Sequence, residues 1–227
     1  MDPAKAGVTE RKKAALDAQR MNALLATCDG SPLGVRDRAL LAFGFATGGR
    51  RRSEIASADF ARLASAGDGY RFQLGHSKTN QAGKARPEDV KPVVGEAARA
   101  LSAWLELLDD QGKARTGKIF RRVLKGGRIA GPLTPAAVRL IVQRRCELAG
   151  LVDAGEFSAH SLRAGFLTEA GRCGVPIKDA MAMSGHTSVA TAVGYMRTEE
   201  LSQSGAARLL DQGARDRAGG QASFETR

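Results

Sequence analysis

The apolar residues of this chain return at helical spacing along most of its length and alternate at strand spacing around one place, near Tyr70. That pattern predicts a helical protein with a small antiparallel sheet set into it. The stretch from about Ala14 to Ala26 is helical in pattern, and a turn follows at Asp29-Gly30-Ser31-Pro32-Leu33-Gly34. Val35 to Ala46 reads as a core helix, broken by Gly48-Gly49, and Arg51 to Ala58 resumes a short one. Tyr70, Phe72 and Leu74 alternate with Arg71 and Gln73, and Val90, Val93 and Val94 supply a return strand. From Glu96 to Leu108, Ala97, Leu101, Trp104, Leu105 and Leu108 share one helical face. Thr134-Pro135 is an N-cap followed by proline at the first helical position, and Gly150 fits the stop of that helix near Ala149. Further helices are expected from about Ser161 to Cys173, from Pro176 to Met183, and after Thr198 to about Leu210. Residues 1–13 and the Gly- and charge-rich stretch 212–227 are expected to be flexible, leaving 14–211 as one domain.

Charge narrows the partner. Thirty-five Lys and Arg against 24 Asp and Glu give a formal net charge of +11. A balance of that kind fits a polyanion such as nucleic acid, or a solvated basic surface. Lys113 to Arg128 carries seven basic residues and no acidic one. Cys28, Cys146 and Cys173 lie far apart with no CxxC pair, so neither a disulfide framework nor a zinc site is expected. They read as reduced, mostly buried thiols of a cytoplasmic protein. No apolar run has the length of a membrane span, and the charged N-terminus lacks the apolar core of a signal peptide.

Two of the three histidines and one of the two tyrosines fall in a short C-terminal region. His160-Ser161-Leu162-Arg163 comes first, then Ser184-Gly185-His186-Thr187, then Gly194-Tyr195-Met196-Arg197. On a helix, the spacing of His160 and Arg163 puts both on one face. A guanidinium grips two phosphate oxygens at once, which an ammonium cannot. In-line attack on a phosphodiester needs a nucleophile, positive donors on the non-bridging oxygens, a proton for the leaving oxygen and an acceptor for the nucleophile's proton. No cluster of carboxylates stands out in the sequence to hold metal ions, so arginine, lysine, histidine and tyrosine are the residues available. Any one of these motifs alone reads equally as surface polarity or a packed tyrosine.

Taken in order, HSLRAGFLTEAGRCGV and MSGHTSVATAVGYMR, with RDRALLAFGFATGGRRRSEI and LGHSKTNQAGK upstream, resemble the tyrosine recombinase, or phage integrase, family. The resemblance runs from about Leu24 to Leu210. It implies the catalytic-domain fold of that family and site-specific DNA recombination through a 3′-phosphotyrosine, with no cofactor and no metal. It implies Tyr195 as nucleophile, Arg51 and Arg163 as clamps on the non-bridging oxygens and His186 as a further donor to the phosphate. It also implies His160 as proton acceptor beside Tyr195, Lys78 as proton donor to the departing 5′-oxygen, and Glu54 as the carboxylate orienting Arg51 or His160. Glu54 is most simply a helix salt-bridge partner.

Arg50, Arg51 and Arg52 are consecutive. The spacing back from Ser53-Glu54 selects Arg51, and the spacing forward from Thr47-Gly48 selects Arg50. Neighbouring helical positions point about 100° apart, so one of the two reaches the phosphate. Ala164 stands where the family often has histidine, and the irregular stretch from Gly83 to Pro92 bears on the hairpin around Lys78. The family's N-terminal DNA-clamping domain is expected to be absent. Candidates for DNA contact are Arg121, Arg122, Lys125 and Arg128 of the basic run, and Arg139, Arg144 and Arg145 on the helix after Thr134. Double-stranded DNA is the expected partner, with self-association to tetramers on it. A type IB topoisomerase activity and a non-catalytic DNA-binding module are the other readings.

Overall fold

The computed structural model describes residues 15–75 and 89–196. Eight α-helices and five strands fall within them: α1 (Ala18–Ala26), α2 (Pro32–Ala46), α3 (Arg52–Ser57), β1 (Leu63–Ala66), β2 (Gly69–Gln73), β3 (Val90–Val93), α4 (Gly95–Asp110), β4 (Arg121–Val123), β5 (Ile129–Pro132), α5 (Pro135–Leu148), α6 (Ala159–Arg172), α7 (Ile177–Ser184) and α8 (Val189–Met196). The mainly helical reading with a small antiparallel sheet holds.

The helix ends follow local chemistry. Asp17, Ser31, Thr134 and Ser158 cap α1, α2, α5 and α6 with side-chain oxygens that accept from backbone N–H groups. Pro32 and Pro135 open α2 and α5, where a missing N–H costs nothing. The strands form β1-β2-β3, antiparallel throughout, and β4 pairs separately with β5. Phe72 of β2 stands opposite Lys91 of β3. In β3 the inward positions are Lys91 and Val93, and Val90 and Pro92 face out. Pro92 is tolerated because β3 is an edge strand.

Three elements were not foreseen. The sequence Leu-Ala-Ser-Ala of β1 shows no alternation of apolar and polar residues and no β-branched side chain, so it carries no strand signal. The β4–β5 pair lies at the end of the basic run, in strands of three and four residues. The third is α8, eight residues that carry Tyr195. The helix expected after Thr198 and the two terminal segments lie outside the described residues.

The core is continuous from α1 through α6. Trp104, Phe43, Phe120, Leu40, Leu101 and Leu105 are fully buried or nearly so. Phe43 meets Phe72 and Phe120 edge-on, with centroids 5.0 and 5.4 Å apart. Trp104 also donates its Nε1 proton to Ile119 O at 2.9 Å, so its buried polar atom is satisfied. A second, smaller cluster of Leu167, Ala170, Ala180 and Ala192 joins α6, α7 and α8, and Tyr195 packs against it. Of the cysteines, Cys146 is buried, Cys28 half-buried and Cys173 exposed, so "mostly buried" holds only in part.

One buried ionic knot ties α1, α2 and α5. Asp37 accepts from Arg36 Nε at 2.6 Å and from Arg145 Nε at 2.8 Å, and Arg145 Nη1 reaches Thr27 O at 2.6 Å. All three charged side chains are about 95% buried. Arg145 is therefore corrected as a DNA-contact candidate: it faces the interior, turned there by Asp37. Removing one partner of such a group strands the others without a counter-charge in low dielectric. Asp37→Ala is expected to lose about 3–5 kcal/mol of stability in urea unfolding, against a much smaller effect if the knot were solvated.

Candidate active site

The Gly48-Gly49 turn brings the first arginines to the last motifs. Gly48 has φ 100° and Gly49 has φ 70°, the left-handed region that favours glycine. A Cβ on Gly48 would lie 2.1 Å from Met183 O, and one on Gly49 would lie 2.2 Å from Arg163 Cα. The turn is thus pressed against both α6 and the end of α7, and no side chain fits between. Arg51 then caps α3, where Glu54 Oε2 accepts from its backbone N–H at 3.0 Å and Glu54 Oε1 from its Nη1 at 3.2 Å.

The consecutive arginines divide between two environments. Arg50 is 2% exposed, and its Nη2 donates to Gly48 O at 3.3 Å and Met183 O at 2.7 Å. Its Nη1 lies 3.8 Å from Glu54 Oε2, and its Nε is buried without a hydrogen-bond partner. The side chain of Arg51 is 41% exposed. With Arg52, Ser53, Arg139, Ser158 and His160 it lines an open groove of about 470 Å³. Glu54 is a salt-bridge partner of both Arg50 and Arg51.

Arg163 lies one turn into α6 and is 4% exposed. Its Nη1 donates to Ser184 O, and its Nε donates to His186 Nε2 at 3.2 Å. His186 Nδ1 is 2.9 Å from Ser184 Oγ. Because Arg163 can only donate, His186 Nε2 accepts, and the ring proton sits on Nδ1 and is given to Ser184. His186 and Tyr195 stand with ring centroids 6.3 Å apart, tilted by 50°. Tyr195 is half-buried at the end of α8, and Thr168 donates to its backbone oxygen at 3.3 Å. His160 occupies the exposed first turn of α6 at the groove, while Arg163 on the same helix is buried and turned to Ser184 and His186.

The electrostatics record crowded positive charge. Burial first, then Arg50 and Arg51, push the Arg163 guanidinium down to about 10, still protonated at neutral pH. Burial also lowers Arg50, with Arg51 adding to the shift and Glu54 opposing it. His186 is driven down to about 4, chiefly by burial and then by Arg163, Arg51, His160 and Arg50. Glu54 opposes the shift at Arg163, and Glu54 and Asp89 both oppose it at Arg50. Three guanidiniums and a neutral imidazole gathered about Glu54, with Asp89 acting on Arg50, make a site that an oxyanion relieves.

Lys78 lies outside the described residues. Of the basic-run candidates, Arg122, Lys125 and Arg128 are exposed. Arg121 is occupied with Lys118 O at 3.2 Å, Ala114 O at 2.6 Å and Thr116 O at 2.8 Å, and its guanidinium lies 5.9 Å from the Phe60 ring centroid. Arg139 is exposed in the groove, as is Arg144 elsewhere on α5. Sequence reasoning missed Arg52 at the groove, and it missed Ser184, whose oxygens hold both Arg163 and His186. The serine was visible in the Ser-Gly-His-Thr motif, but nothing in the spacing marked its role. Among the described residues no group of three or more His, Cys, Asp or Glu side chains could hold a metal ion, and no helix is long and apolar enough to cross a membrane.

In this helical domain a half-buried tyrosine stands beside a buried arginine and its half-buried histidine partner. The sequence profile described as "Phage integrase family" matches residues 14–201. The chain belongs to the phage integrase family. It is 34% identical over 160 residues to an "Integrase/recombinase xerD homolog" of Selenomonas ruminantium, covering 68% of this chain and 45% of that protein. It is 26% identical over 176 residues to "Tyrosine recombinase XerC" of Actinobacillus pleuropneumoniae serotype 7 (strain AP76), covering 78% and 52%. The chain thus spans about half the length of these relatives. In fold it is similar to the XerH site-specific recombinase bound to palindromic difH substrate, with TM-score 0.66, 19% identity, and 88% of this chain matched to 54% of that one. It is also similar to XerA recombinase, with TM-score 0.63, 18% identity, and 95% matched to 67%.

The His186 shift fixes a pH dependence. Its folded value lies below the ordinary 6.5, so between about 6.5 and about 4 the unfolded chain binds more protons than the folded one. Stability from this residue is fully present above 6.5 and is lost as pH falls toward 4. NMR titration of the DNA-free protein is expected to give His186 a midpoint near 4. A midpoint near 6.5 would mean that the ring is neither buried nor faced by the guanidiniums.

Proposed function

We propose that this chain is the catalytic part of a site-specific DNA recombinase that cleaves and rejoins strands through a 3′-phosphotyrosine. The observation that carries the reading is the buried Arg163, held between Ser184 and His186 with Tyr195 alongside and surplus positive charge around it. A phosphodiester entering the groove supplies the missing negative charge. Arg51 and Arg163 then hold its non-bridging oxygens. Exposure and the groove position support Arg51 over Arg50 for that part.

The reaction conserves bonds. Tyr195 Oη attacks phosphorus in line and the bond from phosphorus to the 5′-oxygen breaks. The phenolic proton passes to His160 at the groove, and the leaving 5′-oxygen takes a proton from Lys78. The free 5′-hydroxyl, or one from a partner strand, reverses the step, so rejoining needs no external energy source. His186 first has to release Arg163 from Nε2. The approaching phosphate charge favours a second ring proton, and the imidazolium then donates Nε2–H to a phosphate oxygen.

Arg122, Lys125, Arg128, Arg139 and Arg144 supply phosphate contacts that set register without reading bases. Arg121 supports the same surface by ordering its loop. Double-stranded DNA is the substrate, two or more copies assemble on it, and the reading puts the protein in the cytoplasm with that DNA. "Crystal structure of a lambda integrase dimer bound to a COC′ core site" names one such arrangement, for a neighbour of TM-score 0.55.

A pool of nicked duplexes with randomised arms, incubated with the protein and run in SDS, is expected to yield a covalent protein–DNA band. Tyr195→Phe removes the band. Arg163→Ala lowers its rate of formation by about a hundredfold or more while sparing most binding. Normal cleavage by Arg163→Ala would overturn its role. Separately, Arg139→Ala is expected to reduce the slope of log affinity against log salt by about one, as loss of a single phosphate contact requires.

A further inference from the structure

The end of α7 is gripped in an unusual way. Its last carbonyls, Ala182, Met183 and Ser184, precede Gly185, which turns left-handed with φ 70° and donates to Met181 O at 2.7 Å. The final carbonyls of a helix have no partner within it and usually turn to water or to later backbone N–H groups. Here three successive carbonyls each accept a hydrogen bond from a cationic side chain. Lys91 Nζ donates to Ala182 O at 2.6 Å, Arg50 Nη2 to Met183 O at 2.7 Å, and Arg163 Nη1 to Ser184 O. The three donors come from β3, from the turn between α2 and α3, and from α6, and their exposures are 3%, 2% and 4%.

We infer that Lys91 and Arg50 are positioning residues. With Arg163 they form a cationic clamp on the α7 terminus that sets the place and tautomer of His186. The inference rests on the reading above for its catalytic consequence, but not for its geometry. Buried cations are stabilised by carboxylates and by the negative end of a helix, and Arg50 has both, with Glu54 at 3.8 Å and the α7 carbonyl of Met183 at 2.7 Å. Lys91 and Arg50 are buried, and each spends a side-chain donor on an α7 carbonyl. They act through the backbone they hold. His186 begins two residues beyond the last clamped carbonyl, and both of its ring nitrogens are met by clamp members: Nε2 by Arg163 and Nδ1 by the Ser184 hydroxyl. A shift of the α7 end therefore moves the imidazole relative to Arg163 and alters which nitrogen carries the proton. Gly48 belongs to the same contact, since its backbone lies against Met183 O.

The test uses the full chain. In wild type, imidazole ¹H–¹⁵N spectra of the DNA-free protein are expected to show His186 with its proton on Nδ1. Lys91→Met should move or broaden those signals and slow covalent trapping of the nicked duplex pool by about a hundredfold, the loss that a misplacement of about an ångström brings. Duplex binding should stay within about twofold, and Lys91→Arg, which keeps a charged donor, should restore most of the rate. Wild-type imidazole signals and trapping in Lys91→Met would overturn the clamp. So would a loss of binding in step with trapping that Lys91→Arg fails to repair. Should Lys91→Met not fold, Lys91→Gln carries the same two outcomes. Should no form of the protein trap DNA, the tyrosine reading fails, and the His186 signals alone decide the clamp.

Discussion

A guanidinium taken out of water must find negative charge or aligned dipoles, and Arg163 meets that demand in a way that organises everything near it. Its Nη1 rests on the Ser184 carbonyl and its Nε on the His186 ring. The glycine turn that follows α2 touches its Cα closely enough to exclude any side chain. Two more arginines and one carboxylate complete the surroundings. The cost of holding so much like charge together is borne by the fold, through the core beneath α2, α4 and α6, and an anion bound beside it would lower it. That is electrostatic preorganisation in its usual sense: donors fixed where charge will appear, before it appears.

Position follows from elements of different stiffness. Arg163 and His160 ride on α6, a helix of 14 residues with a serine cap and a buried face. Arg51 is fixed by its own capping exchange with Glu54. His186 sits beyond a left-handed glycine, where only the contacts of its neighbours hold it. Tyr195 is on the short α8, joined to α6 and α7 by a small apolar cluster of its own. Tyr195 therefore packs on a smaller cluster joined to the main core through α6 and the Phe45–Phe166 ring contact.

Much of this was legible in the sequence, for physical reasons. Thr134-Pro135 and Gly150 marked the ends of α5, and Gly48-Gly49 the end of α2; the starts of α2 and α6, capped by Ser31 and Ser158, lie at Pro32 and Ala159, earlier than the apolar pattern gave. The apolar stripe from Ala97 to Leu108 marked α4. The motif residues Arg163, His186 and Tyr195 were found by spacing, and the structure brings them together. What stayed hidden has causes too. The strand β1 is built of small residues with no alternation, and α8 is too short for a helical period to show. The direction of a charged side chain is set by tertiary partners, so Arg145 looked like a surface cation until Asp37 was seen behind it. Likewise nothing local told Arg50 from Arg51. Burial divided them, one turned to carbonyls and the other to the groove.

The central claim is that the oxygen of Tyr195 becomes esterified to the 3′ end of a DNA strand within this cationic site. Nuclease digestion of the trapped adduct, followed by peptide mass spectrometry, tests it most directly. The account predicts a nucleotide-bearing peptide containing Tyr195, with the phosphate on that ring. A nucleotide on Tyr70 or on another residue, or a protein that stays unmodified while the strand is cut, would contradict it.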